Sequence, residues 1–499
     1  MRRLSIAAAA SLSLACIVTI STGASADDAN CHVEEGISSS FVWCENDLTK
    51  MPEVDRAARL ASGPMQSSGS SGDQSIDRPK KRDLPGAPTD PAFDWRNVDG
   101  DNWLTPVRDQ ASCGSCFVFG TLASFESQLK FSTGNPSVDF DLSEQHVIAC
   151  VPAGNCKGGG IAEEVGLYLR TSGVSDEACY PYAAKDGDCS KKCSDWTSRR
   201  VFIERMDFST LPWAEAEIKS ALMQGPVIVN MQVYSDFYGY KSGVYSRGTS
   251  AKKEGWHMVT LVGWDDSDKS WIVRNSWGKS WGENGYFKIS RNPDCLVFVT
   301  GVCFASHVAT IQIDPEKTPG VPCLSSTEVK LHATVGETAT GTFDISNCGR
   351  AGDVKIATTS PSWLTSHIEK PTLAVDESTT VTIEASAAAL KAGTHTANLQ
   401  FKGGPGISTM RVVFDVDPKP EPDPPDPPPP EPSDAGTDLP TTVPVPPDPV
   451  DPEPEPSAEA QEAESSSGGG CATAPSSSGF GMCIGLGIAG IWLATRRRR

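Results

Sequence analysis

The sequence predicts a mixed α+β unit followed by an all-β sandwich, and three observations carry that expectation. After Cys116, the residues Phe119, Leu122, Phe125 and Leu129 recur at helical spacing. Around Trp256-His257-Met258-Val259-Thr260-Leu261-Val262-Gly263 the apolar run reads instead as a buried strand entering a turn. Between 323 and 417, apolar and polar residues alternate with period two. The runs are Val329, Leu331, Ala333 and Val335; Val381, Ile383 and Ala385; Ala397, Leu399 and Phe401; and Met410, Val412, Phe414 and Val416. Strands with one buried face alternate in this way, and the Gly, Asn and Ser turns between them point to a sandwich of about a hundred residues.

The 499 residues exceed one ordinary domain and allow two cores with unstructured extras. Hydrophobic residues at 38% and charged residues at 21% are those of a globular chain. A formal charge of −20 argues against nucleic acid as a partner, because phosphates are neutralised by basic surface. Sixteen cysteines are more than a reducing cytosol ordinarily holds.

Residues 1–26 read as a secretory signal, with Arg2 and Arg3, an apolar run over 4–20 and Ala24-Ser25-Ala26 as a small-residue cleavage site. Residues 27–86 are polar and rich in Ser, a propeptide or linker with a basic processing cluster at Lys80-Lys81-Arg82. The α+β unit is placed at 87–314 and the sandwich at 320–417. Within the sandwich, Ser362-Trp363-Leu364-Thr365 and the strands after it resemble bacterial Ig-like domains of the BACON kind. The resemblance says little about function; a spacer is one reading of the sandwich, a glycan or protein ligand the other.

A stalk spans 418–467. Its first 39 positions, 418–456, hold 18 prolines and ten carboxylates against Lys419 alone, so they should be extended and solvated. This −9 is nearly half of the net charge, so the acidity describes the stalk more than the rest. Residues 468–499 hold Cys471 after a Ser/Gly run, an apolar stretch over about 479–494 and four arginines at 496–499. The stretch is near the lower limit for a spanning helix, and the arginines should stay cytoplasmic. Together these parts resemble the MYXO-CTERM class of bacterial surface-sorting signals. The resemblance implies processing by a sorting peptidase and lipid attachment at Cys471, hence a membrane-anchored or released protein of the bacterial cell surface or outer envelope.

The densest motifs begin at Phe93-Asp94-Trp95-Arg96. There follow Thr105-Pro106-Val107-Arg108-Asp109-Gln110-Ala111-Ser112-Cys113-Gly114-Ser115-Cys116-Phe117, Leu142-Ser143-Glu144-Gln145 and Cys156-Lys157-Gly158-Gly159. Tyr180-Pro181-Tyr182, Gly225-Pro226-Val227, Gly255-Trp256-His257 and Asn275-Ser276-Trp277-Gly278 complete the series. In this order they resemble the papain-like cysteine peptidases over about 220 residues. The resemblance implies a helical lobe carrying Cys116, a β-barrel lobe carrying His257 and Asn275, and a cleft between them. It implies no metal and no organic cofactor.

The chemistry fits these residue types. A thiol at a helix N-terminus has its anion favoured by the dipole and by unpaired N–H groups. The thiolate needs a cationic partner to hold a proton and later deliver it to the leaving amine, and His257 lies 141 residues downstream. By resemblance, the Asn275 side-chain oxygen accepts from the imidazole while Trp277 shields that bond. Gln110 and the Cys116 backbone N–H would bind the oxyanion. Gly158 and Gly159 would let substrate backbone approach, and Asn230 and Met258 lie near the pocket for the second residue before the scissile bond. The family pattern also implies the disulfides Cys113–Cys156 and Cys150–Cys189. Cys31–Cys44, Cys179–Cys193, Cys295–Cys303 and Cys323–Cys348 are expected as local pairs, with Cys116 kept as a thiol.

Several positions depart from the family. Phe117 stands where Trp is usual, Ala111 where Gly is usual, and Trp256 where a small or polar residue commonly precedes the His. No long helical propeptide and no His-His insertion is evident; the second absence favours endopeptidase action. His146 and His307 read as structural, and Asp265-Asp266-Ser267-Asp268 reads as a hairpin turn rather than a calcium loop. The sequence thus predicts a secreted, surface-anchored cysteine endopeptidase acting on protein or peptide substrates. The alternatives are an inactive peptidase fold serving as adhesin or binder, and a transpeptidase using the same site.

Overall fold

The computed structural model describes residues 30–60, 87–152, 154–209, 214–291 and 308–421, all within one compact unit. The terminal signals, Cys471, most of the stalk, Lys80-Lys81-Arg82, Cys295, Cys303 and His307 lie outside the described residues. Among the described residues no helix is long and apolar enough to cross a membrane.

The first lobe is built on the helix Cys116–Thr133. Every residue from 116 to 131 is buried, so the face read from Phe119, Leu122, Phe125 and Leu129 is one side of a helix packed all round. The helix stops at Gly134, whose φ of +64° suits a residue without Cβ. Helices Glu144–Cys150 and Ala162–Thr171 pack on it through Val147, Ile148, Val165 and Leu169. Ser143 starts the first of these, its hydroxyl accepting from the His146 N–H at 2.9 Å.

The second lobe is a ten-stranded sheet. Its long strand Lys253–Asp265 runs antiparallel to Val227–Tyr234 on one side and Ser270–Arg274 on the other. The order continues from Ser270–Arg274 through Tyr286–Ser290 to Tyr240–Tyr245, and from Val227–Tyr234 through Val308–Gln312 to Arg205–Ser209. The register sets Met231 opposite His257 and Asn230 opposite Met258. Beneath the sheet Phe237, Tyr240, Tyr245, Trp277, Trp281 and Phe287 form one aromatic core. Side-chain bonds tie the lobes along the central helix, among them Thr260 Oγ1 to the Gly120 carbonyl at 3.1 Å, Ser124 Oγ to the Pro226 carbonyl at 2.7 Å and Gln128 Nε2 to the Gln224 carbonyl at 2.9 Å.

The N-terminal segment is folded onto this second lobe. Strands Cys31–Glu35 and Ser40–Cys44 make an antiparallel hairpin closed by the Cys31–Cys44 disulfide. The hairpin lengthens the sheet by pairing Phe41 with Gly243 and Val42 with Ser242.

Residues 322–417 form two larger sheets over a shared core. One has the order Pro322–Leu324, Thr338–Asn347, Ser378–Ser386, Leu364–Ile368. The other runs Glu328–Thr334, Gly406–Asp417, Gly393–Gly403, Ala357–Thr359. Leu331, Val381, Ile383, Leu399, Phe401, Val412 and Phe414 fill the space between. The second sheet gains a strand from the first lobe, because Val138–Phe140 pairs with Gly406, Ile407 and Ser408. Disulfides join Cys113–Cys156, Cys150–Cys189, Cys179–Cys193 and Cys323–Cys348.

Candidate active site

Cys116 is the first residue of the central helix, fully buried and outside the disulfides. The helix dipole and the first-turn N–H groups favour a thiolate there. His257 rises from the long strand of the second lobe, and Asn275 follows the neighbouring strand Ser270–Arg274. The Asn275 Oδ1 lies 2.7 Å from His257 Nε2 and also accepts from the Ser276 N–H at 2.8 Å. These bonds fix the amide orientation and leave Nε2 as the donor. His257 Nδ1 is buried without a hydrogen-bond partner. The Trp277 ring stacks on the imidazole with centroids 4.8 Å apart and itself rests on Tyr238, so water is kept from the His257–Asn275 bond.

Gln110 is held from both lobes. Its Oε1 accepts from Ser276 Oγ at 2.6 Å, its backbone N–H donates to the Ser276 carbonyl, and its carbonyl accepts from Tyr182 Oη at 2.6 Å. Tyr182 Oη also lies 2.8 Å from Ser115 Oγ, next to the nucleophile. Sequence reasoning gave Ser276 and Tyr182 no role although both fall inside quoted motifs. Their function is to hold Gln110, which only the three-dimensional contacts reveal.

The two Gln110 Nε2 protons are occupied. One goes to the Cys113 carbonyl at 2.8 Å and the other to the Arg59 carbonyl at 2.9 Å. Residues 52–60 therefore lie across the site. The Arg59 guanidinium is buried against Asp109 at 3.1 Å, the Arg56 guanidinium sits over the Tyr238 ring, and the Leu60 carbonyl is 3.3 Å from the point where Gly114 would carry a Cβ. Burial pulls the His257 pKa down to about 4, the Asn275 bond opposes this, and the nearby Arg59 charge adds to it.

Gly158 is exposed, while Gly159 is buried with φ +72° in a turn closed by Asn155. Phe117 fills its place fully buried, its ring so close to Gly154 and Gly160 that a Cβ on either would lie within 2.6 Å of it. Met258 faces Gly120 of the central helix. Asn230, across the strand pair from Met258, is buried with neither amide atom hydrogen-bonded. Behind Asn275 a small cavity is walled by Arg108, Glu126, Glu144 and Arg274. Burial pushes both carboxyls up, Glu144 the further because Glu126 and Glu177 add repulsion.

His146 is buried between Ser175 Oγ and Tyr168 Oη, away from these groups, and burial lowers its pKa to about 3. The acidic run at 265–268 faces cations: Lys288 reaches Asp265 and Asp268, and Lys219 and Arg291 reach Asp266. Among the described residues no His, Cys, Asp and Glu side chains gather into a group that could hold a metal.

The model of the family described as papain family cysteine protease matches residues 89–305. "Cysteine proteinase 2" of Entamoeba histolytica is 38% identical over 207 residues, which cover 40% of this chain and 62% of the relative. "Pro-cathepsin H" of Bos taurus is 36% identical over 211 residues, covering 41% and 61%. The chain spans about three-fifths of the length of these curated relatives. A solved Carica candamarcensis cysteine protease is 28% identical, with 45% of this chain and 99% of that one covered and a TM-score of 0.38. Over residues 89–305 the chain is thus similar to the papain family cysteine proteases.

Proposed function

We propose that the chain is the precursor of an exported cysteine endopeptidase anchored at a bacterial cell surface. The observation that supports this best is the buried His257–Asn275 pair in a papain-like domain whose central helix begins at Cys116. The Cys116 thiolate attacks the scissile carbonyl carbon, forming a C–S bond while the C=O electrons move to oxygen. Gln110 Nε2 and the Cys116 N–H donate to that oxyanion. The imidazolium of His257 gives its Nδ1 proton to the leaving nitrogen as the C–N bond breaks. Water, deprotonated by the same nitrogen, then hydrolyses the thioester and returns the thiolate. Asn275 holds the ring through both half-reactions, while Gly158, Gly159, Asn230 and Met258 receive the substrate.

As folded here the chain is a zymogen, since the Arg59 carbonyl takes the Gln110 proton that the oxyanion would need. Residues 320–417 serve as an Ig-like sandwich between peptidase and stalk, with a glycan or protein as its ligand if it binds one. The C-terminal segment supplies the membrane anchor, directly or through a sorting peptidase and a lipid on Cys471.

The test is labelling of the exported chain with an epoxysuccinyl probe, after removal of the N-terminal segment and under mild reduction. One adduct on Cys116, with loss of fluorogenic-peptide cleavage, is expected. The Cys116→Ala chain should bind no probe, cut nothing and keep its unfolding temperature. Cleavage retained by that variant would overturn the assignment.

A further inference from the structure

We infer that the N-terminal hairpin, residues 30–50, is a lasting part of the catalytic unit, and that activation removes only the strap of residues 52–60 from the cleft. What the strap blocks rests on the peptidase reading above; the retention of the hairpin does not.

The two stretches are held in different ways. The hairpin continues the sheet of the second lobe, with Phe41 buried against Tyr240 and Tyr245. The Ile37 N–H donates to the Arg247 carbonyl, Ser39 Oγ to the Val244 carbonyl, and Asn46 Nδ2 to the Tyr238 carbonyl. Trp43 lies so flat on Gly239 that a Cβ there would sit 2.1 Å from the indole nitrogen. The Cys31–Cys44 disulfide keeps the hairpin from opening when the chain is cut elsewhere. These are the contacts of a structural element rather than of a transient inhibitor.

The strap has no strand pairing. It holds a single helical turn and a half, Glu53–Ala57, with no buried residue in it, and Val54 is 74% exposed. Its grip lies at its end, where Leu60 enters the second lobe's core, Arg59 pairs with Asp109 and the Arg59 carbonyl accepts from Gln110, with Arg56 over the Tyr238 ring. Residues 52–58 bury no side chain, and an exposed stretch of this kind is the mark of a segment that opens locally.

The consequence concerns where cleavage matters. Hydrolysis of any bond in 61–86, the basic cluster Lys80-Lys81-Arg82 included, adds one water across one C–N bond and separates the strap from the domain only in sequence. The hairpin still tethers the strap through a few residues, and so short a tether keeps its local concentration at the cleft in the millimolar range. Hydrolysis within 52–58 leaves the new carboxylate on the hairpin and the new amine on the strap. The strap is then held only by the longer link through 61–86, so it can swing out of the cleft, and the product is a two-chain molecule.

The experiment uses two versions of the exported chain. One carries the recognition sequence of an exogenous site-specific endopeptidase in place of residues 70–76, the other in place of residues 52–58. Each is cut and passed over a sizing column; the mass of every peptide in the main peak and the rate of Cys116 labelling by the epoxysuccinyl probe are measured. After the first cut the N-terminal peptide should co-elute and labelling should stay within about threefold of the uncut chain. After the second the hairpin peptide should still co-elute while labelling rises tenfold or more. Loss of the hairpin peptide after either cut, or a tenfold rise after the first cut alone, would overturn the inference. Failure of Cys116 to label after the second cut, with the hairpin still bound, would count against the peptidase reading and leave retention established by mass.

Discussion

Ala111 has φ +48°, a left-handed backbone that costs a residue with Cβ about 1–2 kcal/mol. The strain is tolerated because Asp109 Oδ1 accepts the Ala111 N–H at 2.8 Å, and the turn so formed carries Gln110 to Ser276. Glycine would adopt the turn freely but would give the unfolded chain about 0.4–1 kcal/mol more entropy to lose. Ala111→Gly should therefore stabilise the protein by about 0.5–1 kcal/mol, read as a higher denaturation midpoint at unchanged slope. A lower midpoint would mean that Ala111 contributes packing that outweighs its backbone. The departure from the family at this position was legible in the sequence, but its sign was not, because φ is not encoded in residue identity alone.

At the scale of elements, the strap and the imidazole beneath it are linked by proton binding. The His257 value of about 4 lies below its ordinary 6.5, so the folded, strapped form binds fewer protons than an open one across that window. The stability gained by keeping the ring neutral is complete above pH 6.5 and is lost as pH falls towards 4. Glu177, raised by burial to about 7, works in the opposite sense but contacts Tyr182 rather than the strap. Amide hydrogen exchange over 52–60, corrected for its intrinsic pH dependence, should thus accelerate between pH 6.5 and 4. An unchanged rate would show that strap opening does not expose His257.

The strap also shows which elements the sequence displayed. The runs at 381–385 and 410–416 are visible because a sheet repeats every second residue, and those residues are buried in two sheets. Cys116, His257 and Asn275 stand out because their surrounding motifs are dense. Residues 30–60 have no such period. Their fold depends on contacts such as Arg59 with Gln110, 51 positions apart, and on a sheet edge supplied by Tyr240–Tyr245. Nothing local announces either.

On the scale of the whole molecule, the region after 314 is not merely appended. Val321 and Cys323 belong to the same buried cluster as Val138 and Phe140 of the first lobe, and Thr318 Oγ1 donates to Ser132 Oγ at 2.7 Å. A chain ending at residue 314 would bare Val138 and Phe140, both fully buried here. Exposing side chains of this size costs about 1.5–3 kcal/mol each. The shortened chain should unfold at a clearly lower temperature than the chain ending at 421, and the latter should melt in one transition. Equal melting temperatures would show that the junction contributes nothing.

The strand Val138–Phe140 has one more effect. Gly406–Asp417 is flanked on one side by Gly393–Gly403 along its length, and on the other by Glu328–Thr334 only from Arg411 onward. The three residues of the first lobe cover the remaining end, at Gly406, Ile407 and Ser408. Bare, that end would offer unpaired backbone groups to any passing chain, which is how sheets aggregate. During synthesis the N-terminal lobe emerges first, so the last strand to appear finds its neighbour already made. A misfolded first lobe would leave the edge open, and the molecule would betray its own failure by sticking to its kind.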